Sequence, residues 1–345
     1  MGISLKVFIM LKTGLIQLYT SNSKQINFAT FGLALRASGQ NFRTLITCFK
    51  SFELLDGMDI ASTFLDSMVI DKSAIEKTNI EEKILCSYNK AAHETLKGNF
   101  DVVILDGVIP LINQDLIGIK DILKLINEKP DNVELVLSGS GAPEVIIEKA
   151  DLVTEMVVKS HIHTSKKENV HGNQGTIEVV TGNGKGKTTY CLGKAMLTSC
   201  LGTRSSILQF IKSPKPYGEV KAIDRFPFLE IKSMGEGFLN LYSNSPKKKH
   251  VDAARRAWKE CLKVIFSLKY GLVVLDEINN AIHYGLVNPE KVLELLSLKP
   301  ENIDLILSGR NAHPEVMDAA TTVIEMKEIK HPFNKGIKAR LGIEF

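Results

Sequence analysis

The stretch Thr181–Thr189, TGNGKGKTT, concentrates the residue types that could do chemistry on a phosphate. Glycines at 182, 184 and 186 let a backbone turn tightly and bring its N–H groups against phosphate oxygens. Lys187 supplies a point charge for those oxygens, and Thr188 offers a hydroxyl to a divalent metal ion. The loop follows the apolar run IEVV and precedes a helical pattern, so a helix N-terminus would turn its positive end toward the anion. The strict motif has glycine where this chain has Thr181. A glycine-rich turn without a ligand is the plain alternative, and the strand–loop–helix context argues against it.

Two further places belong with this loop. Asp276 and Glu277 close the run LVVLDE, and acidic residues at the carboxyl end of a buried strand beside a phosphate loop commonly hold the metal. The alternative for them is a solvated strand end. Arg310, in SGRN, ends another run and would point toward the same crevice. An arginine there suits a triphosphate, with a surface salt bridge as the rival role.

The elements that must position these residues read as α/β. VVILD, LVVLD, ELVLSG and DLILSG are short, mostly apolar and bounded by polar residues, as expected of strands buried on both faces. Between them lie helical stretches such as VDAARRAWKECLKVIFSL and PEKVLELLSL. The second of these has Asn288 as N-cap and Pro289 at the first helical position. Strands alternating with helices predict a parallel sheet covered on both faces.

The pattern occurs twice. LIQLYTSNSKQINFATFGLALRASG from Leu15 parallels TIEVVTGNGKGKTTYCLGKAMLTSC from Thr176. FDVVILDGVIPLINQDLIG from Phe100 parallels YGLVVLDEINNAIHYGLVN from Tyr270, and the KPDNVELVLSG block repeats as KPENIDLILSG. The offset stays at about 160 to 170 residues across these blocks, which marks a tandem duplication. The division expected is 1–156, a linker at 157–174, and 175–345. His161, His163 and His171 in that polar linker read as incidental rather than as metal ligands.

The first copy lacks the chemistry. Gly182, Gly184 and Gly186 correspond to Ser21, Ser23 and Gln25, Lys187 to Ile26, and Thr188 to Asn27. Asp106 is kept, but Gly107 stands for Glu277 and Ser140 for Arg310. Loss of the cation and the metal-binding groups, with the apolar strands intact, predicts a retained fold without a working nucleotide loop.

Bulk properties exclude other classes. A net charge of +4 over 345 residues shows no concentrated basic face for nucleic acid. The five cysteines are scattered with no CxxC pair, which fits a reducing compartment better than disulfides or a zinc site. No apolar run reaches the roughly 20 residues a membrane span needs. The start, MGISLKVFIMLKTG, offers no small-residue cleavage site, and Lys6 breaks the myristoylation pattern. These features predict a cytoplasmic protein with neither membrane nor nucleic acid as partner.

TGNGKGKTT, ILQFIK at 207–212, MGEGF at 234–238, DAARRAW at 252–258, LDEINNAIHYGLV, SGRNAHPE and the tail IKHPFNKGIKARLGIEF together resemble the ATP:corrinoid adenosyltransferases of the CobA/CobO/BtuR type. The resemblance covers the second half from about Thr176 to the end, and the first half shows the same family in eroded form. It implies a P-loop NTPase-like (RecA-like) α/β fold, a parallel sheet flanked by helices, present twice in tandem.

It also implies transfer of the 5′-deoxyadenosyl group of ATP to the cobalt(I) of a reduced corrinoid, with release of triphosphate. On the resemblance Asn183, Gly184, Lys185, Gly186, Lys187, Thr188 and Thr189 bind the triphosphate. Thr188, Asp276 and Glu277 surround Mg²⁺ or Mn²⁺, and Lys187, Glu277 and Arg310 serve catalysis. Gly237 and Phe238 meet the corrinoid, where an apolar ring would keep a lower ligand off cobalt; without the resemblance Phe238 reads as ordinary core. An electron-donating reductase of flavoprotein type is the implied partner, and the fused halves would form a pseudodimer, or the chain a homodimer. A phosphate-loop ATPase and a non-catalytic ATP or corrinoid sensor are the rival readings.

The chain departs from the family pattern twice. Leu239-Asn240 stands where relatives often have Thr-Trp. Relatives also often carry Leu-Arg-Ala in the helix after the phosphate loop, where the second half has Leu197 and the first half keeps Arg36.

Overall fold

The computed structural model describes residues 11–23, 27–50, 54–75, 79–161, 175–237 and 248–345. The first repeat begins β1 (Ile16–Ser21), α1 (Ala29–Gly39), β2 (Thr44–Cys48), α2 (Asp56–Phe64), β3 (Met68–Asp71), α3 (Ile80–Leu96). It continues β4 (Val102–Asp106), α4 (Ile109–Asn113), α5 (Ile119–Glu128), β5 (Glu134–Ser140), α6 (Glu144–Lys149), β6 (Leu152–His161). The second repeat begins β7 (Ile177–Thr181), α7 (Lys187–Cys200), β8 (Ser205–Gln209), α8 (Gly218–Ile223), β9 (Leu229–Ser233), α9 (Lys248–Phe266). It ends β10 (Leu272–Asp276), α10 (Ile278–His283), α11 (Pro289–Leu298), β11 (Asp304–Ser308), α12 (Pro314–Asp318), β12 (Thr322–Lys330).

The apolar runs named from sequence are the central strands. β4 and β10 are buried along their whole length, and β5 and β11 nearly so. α11 starts as its composition predicts: the Asn288 side chain accepts from the Glu290 N–H at 3.0 Å, and Pro289 occupies the first turn.

The repeats share one sheet. Its strand order is β3-β2-β4-β5-β1-β6 from the first repeat, continued by β12-β7-β11-β10-β8-β9 from the second. Reading inward from either edge gives the same order of equivalent strands, so a pseudo-two-fold axis passes between β6 and β12. That junction is antiparallel, while the other paired strands among the described residues run parallel. β6 runs five residues into the stretch read as linker, because Val157 and Val158 pair with Glu325 and Ile324. Most of that stretch, with His163 and His171, lies outside the described residues.

The helices after the two loops cross at the axis. A Cβ placed on Gly32 of α1 would sit 1.8 Å from the Thr189 carbonyl oxygen of α7, and one on Gly193 of α7 would sit 2.1 Å from that of Phe28. Phe28 meets Tyr190 edge to face at 5.4 Å between ring centres. One apolar cluster draws on both repeats, joining Leu33, Phe42 and Met58 to Tyr190, Met196 and Leu197. Gly32→Ala is therefore expected to force these backbones apart and cost about 1–3 kcal/mol, read as a lower urea midpoint of the whole chain.

Candidate functional site

The phosphate loop joins β7 to α7, and two of its glycines are required by the backbone they touch. Gly182 has φ of +97°, and a Cβ there would lie 2.3 Å from the Met326 carbonyl oxygen of β12. Gly184 donates its N–H to that same carbonyl at 2.7 Å, so this donor is already used within the fold. Gly186 has φ of +109° and caps α7. Its neighbour is the ring of Tyr19, which belongs to the first repeat.

Around the loop the named side chains come together. The Lys187 ammonium donates to the Gly184 carbonyl at 2.6 Å. Burial pushes it down to about 7, with Arg310 adding to the effect against Asp276 and Glu277. Thr188 Oγ1 donates to Asp276 Oδ1 at 3.1 Å, Ser308 Oγ donates to the same oxygen at 2.6 Å, and Gln209 Nε2 donates to Oδ2 at 3.0 Å. Asp276 is thus wholly buried and occupied by neutral donors. Arg310 is exposed at the rim and reaches the Asn183 carbonyl at 3.3 Å. A cleft of about 420 Å³ is lined by Gly184 to Thr189 with Lys212, Glu277 and Arg310.

Glu277 differs from its neighbour. Its backbone is left-handed, φ +64°, a conformation that strains a residue carrying a Cβ and that Gly107 adopts in the first repeat at φ +83°. Its Oε2 is buried and makes no hydrogen bond among the described residues. Burial, reinforced by Asp276, raises this carboxyl to about 7. An unpaired buried carboxylate oxygen beside a hydroxyl and a second carboxylate is a hard-oxygen donor set that fits a divalent cation. Among the described residues no group of three His, Cys, Asp or Glu side chains forms a cage of its own. The nucleotide's oxygens would have to complete the shell.

Gly237 packs beside this cleft, its N–H donating to the carbonyl of Ile211 at 2.9 Å. Phe238 and Leu239-Asn240 lie outside the described residues. In the first repeat the same scaffold persists without counterparts of Lys187, Glu277 and Arg310. Ser138 donates to Asp106 Oδ1 at 2.7 Å as Ser308 does to Asp276, while Thr30, at the place of Cys191 and not of Thr188, donates to the same oxygen at 3.3 Å. The cavity there is smaller, about 230 Å³, and lined by Ser21, Ser23, Asn27 and Lys50. Gln25 and Ile26 lie outside the described residues.

Sequence reasoning assigned no role to an ionic chain that enters the cleft from the first repeat. Arg36 of α1 lines it, pairing through Nε with Glu219 Oε2 of α8 at 2.9 Å and donating to the Ile343 and Glu344 carbonyls at 3.1 and 3.0 Å. Lys212 binds the other Glu219 oxygen at 2.7 Å. Lys185, predicted to bind phosphate, pairs with Glu344 at 2.8 Å. The sequence signals were the family's arginine, kept as Arg36 in the first half and replaced by Leu197 in the second, and the matching blocks ILQFIK and LGIEF, which carry Lys212 and Glu344.

Burial would raise the Glu219 carboxyl, but Arg36 and Lys212 outweigh it and bring it down to about 2 from an ordinary 4.5. A depressed carboxyl contributes stability that is complete above the unfolded value and is lost as pH falls toward the folded one. Between pH 5 and 3 the parent is expected to lose about 2 kcal/mol more stability than Glu219→Gln, measured by urea unfolding at each pH.

Fold and site together define a duplicated phosphate-loop enzyme with one complete loop. The sequence profile of the ATP:corrinoid adenosyltransferase family BtuR/CobO/CobP matches residues 12–172 and again 173–345, and the chain belongs to that family. A corrinoid adenosyltransferase of Pseudomonas aeruginosa is 34% identical over 188 residues, covering 54% of this chain and 92% of that protein. One from Escherichia coli K12 is 31% identical over 172 residues, covering 50% and 86%. An uncharacterized protein of Nostoc is 30% identical over 260 residues, 72% of this chain and 67% of its own, a span longer than one repeat.

Proposed function

We propose that the chain transfers the 5′-deoxyadenosyl group of ATP to the cobalt(I) of a reduced corrinoid, and does so only in the second repeat's cleft. The supporting observation is that Lys187, Thr188, Glu277 and Arg310 converge on the glycine loop there, while the first repeat carries none of the four. The cobalt electron pair forms the bond to C5′ as the C5′–oxygen bond breaks, and triphosphate leaves with that bond's electrons.

The protein supplies no covalent nucleophile. Its residues hold the nucleotide in line and neutralise the leaving group. Lys187 and Arg310 face the triphosphate, with Asn183 to Thr189 wrapping it. Thr188 and Glu277 would hold Mg²⁺ or Mn²⁺, with Asp276 behind them orienting the Thr188 hydroxyl. Bound there, the ion would offset charge developing on the leaving oxygens. Gly237 and Phe238 lie on the segment assigned to the corrinoid. Cobalt(I) must be made by an external electron donor, for which a flavoprotein-type reductase is suited.

The first repeat, 1–156, acts as a built-in partner in a pseudodimer and takes no nucleotide of its own. Calorimetric titration is expected to give one ATP per chain; two would refute this division. The activity is tested anaerobically with reduced corrinoid, ATP and Mg²⁺, following the corrinoid spectrum and the phosphate products. An alkylcobalt product with triphosphate is expected. ADP with phosphate identifies an ATPase, and binding without turnover a sensor.

A further inference from the structure

The pseudo-two-fold axis gives this molecule an internal control for the buried ion pair at the repeat interface. A Cβ on Gly218 of α8 would sit 2.3 Å from the Arg36 carbonyl oxygen, and one on Gly57 of α2 would sit 2.7 Å from that of Leu197. These are the two equivalent approaches of helix on helix, one on each side of the axis. On one side the residues in register are Arg36 and Glu219, and on the other they are Leu197 and Met58. Both members of the second pair are buried in the shared apolar cluster, at 0% and 1% exposure. The same fold therefore accepts an apolar pair at this place.

That comparison separates stability from function. A buried ion pair gains little over apolar residues of similar volume, because desolvating two charges offsets their attraction. Arg36 and Glu219 are 6% and 0% exposed at their side chains, so they carry that cost in full. The apolar version stands beside the first repeat's substituted loop, and the ionic version beside the intact loop. Charge is kept only where a nucleotide cleft adjoins it.

The route from Arg36 into the cleft is continuous. Its guanidinium holds the carbonyls of Ile343 and Glu344 while gripping Glu219. The first repeat secures the same tail a second time. Buried Glu134 binds both terminal nitrogens of Arg340 at 2.6 and 2.9 Å, and Arg340 in turn binds Glu344. Glu344 then receives Lys185 of the phosphate loop. Ile343 packs into the cluster with Phe42, so the tail lies on the first repeat.

We propose that Arg36 is a positioning residue of the other repeat's nucleotide site, fixing the tail so that Glu344 sets Lys185 and the phosphate loop for triphosphate. The proposal rests on the cleft being the nucleotide site, and it gives the first repeat a specific task. The traffic is one-way: Leu197 offers the first repeat nothing comparable.

The test transplants the apolar pair. In the full chain, Arg36→Leu with Glu219→Met copies the arrangement that the molecule already folds with on its other side. Binding is read by calorimetry with ATP and with inorganic tripolyphosphate, without corrinoid, and steady-state kinetics are read alongside. The expected result is an unchanged or higher melting temperature, affinity for both probes at least tenfold lower, and KM for ATP raised more than kcat is lowered. Equal affinity for both probes in parent and variant overturns the role of Arg36. A parent that bound neither probe would overturn the nucleotide-site reading itself. If the double variant melts lower, Arg36→Lys decides, since lysine keeps the charge but cannot span Glu219 and two carbonyls. Weakened probe binding there supports the proposal, and parental binding refutes it.

Discussion

Lys187→Ala is expected to lower adenosyl transfer by about a thousandfold at saturating ATP while the protein stays folded. Removing one preorganised charge or donor that faces developing negative charge in a dry site costs on the order of 10²–10³ in rate. In the proposed reaction Lys187 faces a triphosphate whose charge rises as the C5′–oxygen bond breaks, so the upper end of that range applies. The surroundings of Lys187 point the same way. Burial penalises the charge of this ammonium and pushes it down to about 7. A bound polyanion reverses that cost by stabilising the charged form.

Alanine removes a desolvated ammonium and a single bond to the Gly184 carbonyl. The melting temperature is accordingly expected to hold or to rise. Single-turnover measurement with reduced corrinoid separates the outcomes. A folded variant within tenfold of the parent rate would sink the assignment of this loop. The corresponding change at Ile26, in the first repeat's loop, is expected to leave turnover within about twofold.

How legible this was in sequence depends on the range of the interactions. The glycine loop is local, and two of its glycines are dictated by backbone contacts, so its spacing alone pointed to the candidate site. Strands β4, β5, β10 and β11 were equally plain, because burial on both faces leaves continuous apolar runs. The N-cap at Asn288 needed only its neighbours. Arg36 and Glu219 are 183 positions apart, and although the family pattern marks Arg36, nothing local names Glu219 as its partner. Their partnership exists only once α1 and α8 meet across the axis. Leu197 likewise looked like a missing arginine until Gly57 and Met58 were found in register with it. The single sheet was also hidden: the valines that carry β6 into the junction sit in a stretch whose remaining composition is polar, and nothing in β12 announces an antiparallel neighbour.

The same asymmetry decides what happens when the repeats are separated. Residues 175–345 expressed alone are expected to self-associate and to bind ATP at least tenfold more weakly than the full chain. Removing the first repeat uncovers the β12 edge, whose N–H and C=O groups β6 now satisfies, and bare edges recruit other strands. It also uncovers the face of α7 that buries Tyr190, Met196 and Leu197. The simplest way to cover both is a second copy docked about the same axis. That dimer would be defective, because each Glu219 would then meet Leu197 of its partner copy rather than an arginine. A buried carboxylate would keep only Lys212, and the tail would lose both Arg36 and Glu134. Two changes to the isolated repeat therefore have different expected effects. Glu219→Met makes the dimer tighter by sedimentation while leaving ATP binding weak. Leu197→Arg rebuilds the ion pair across the axis and recovers at least half of the lost binding free energy. An isolated repeat that is monomeric and binds ATP like the full chain would remove any need for the first repeat, and with it the role given to Arg36.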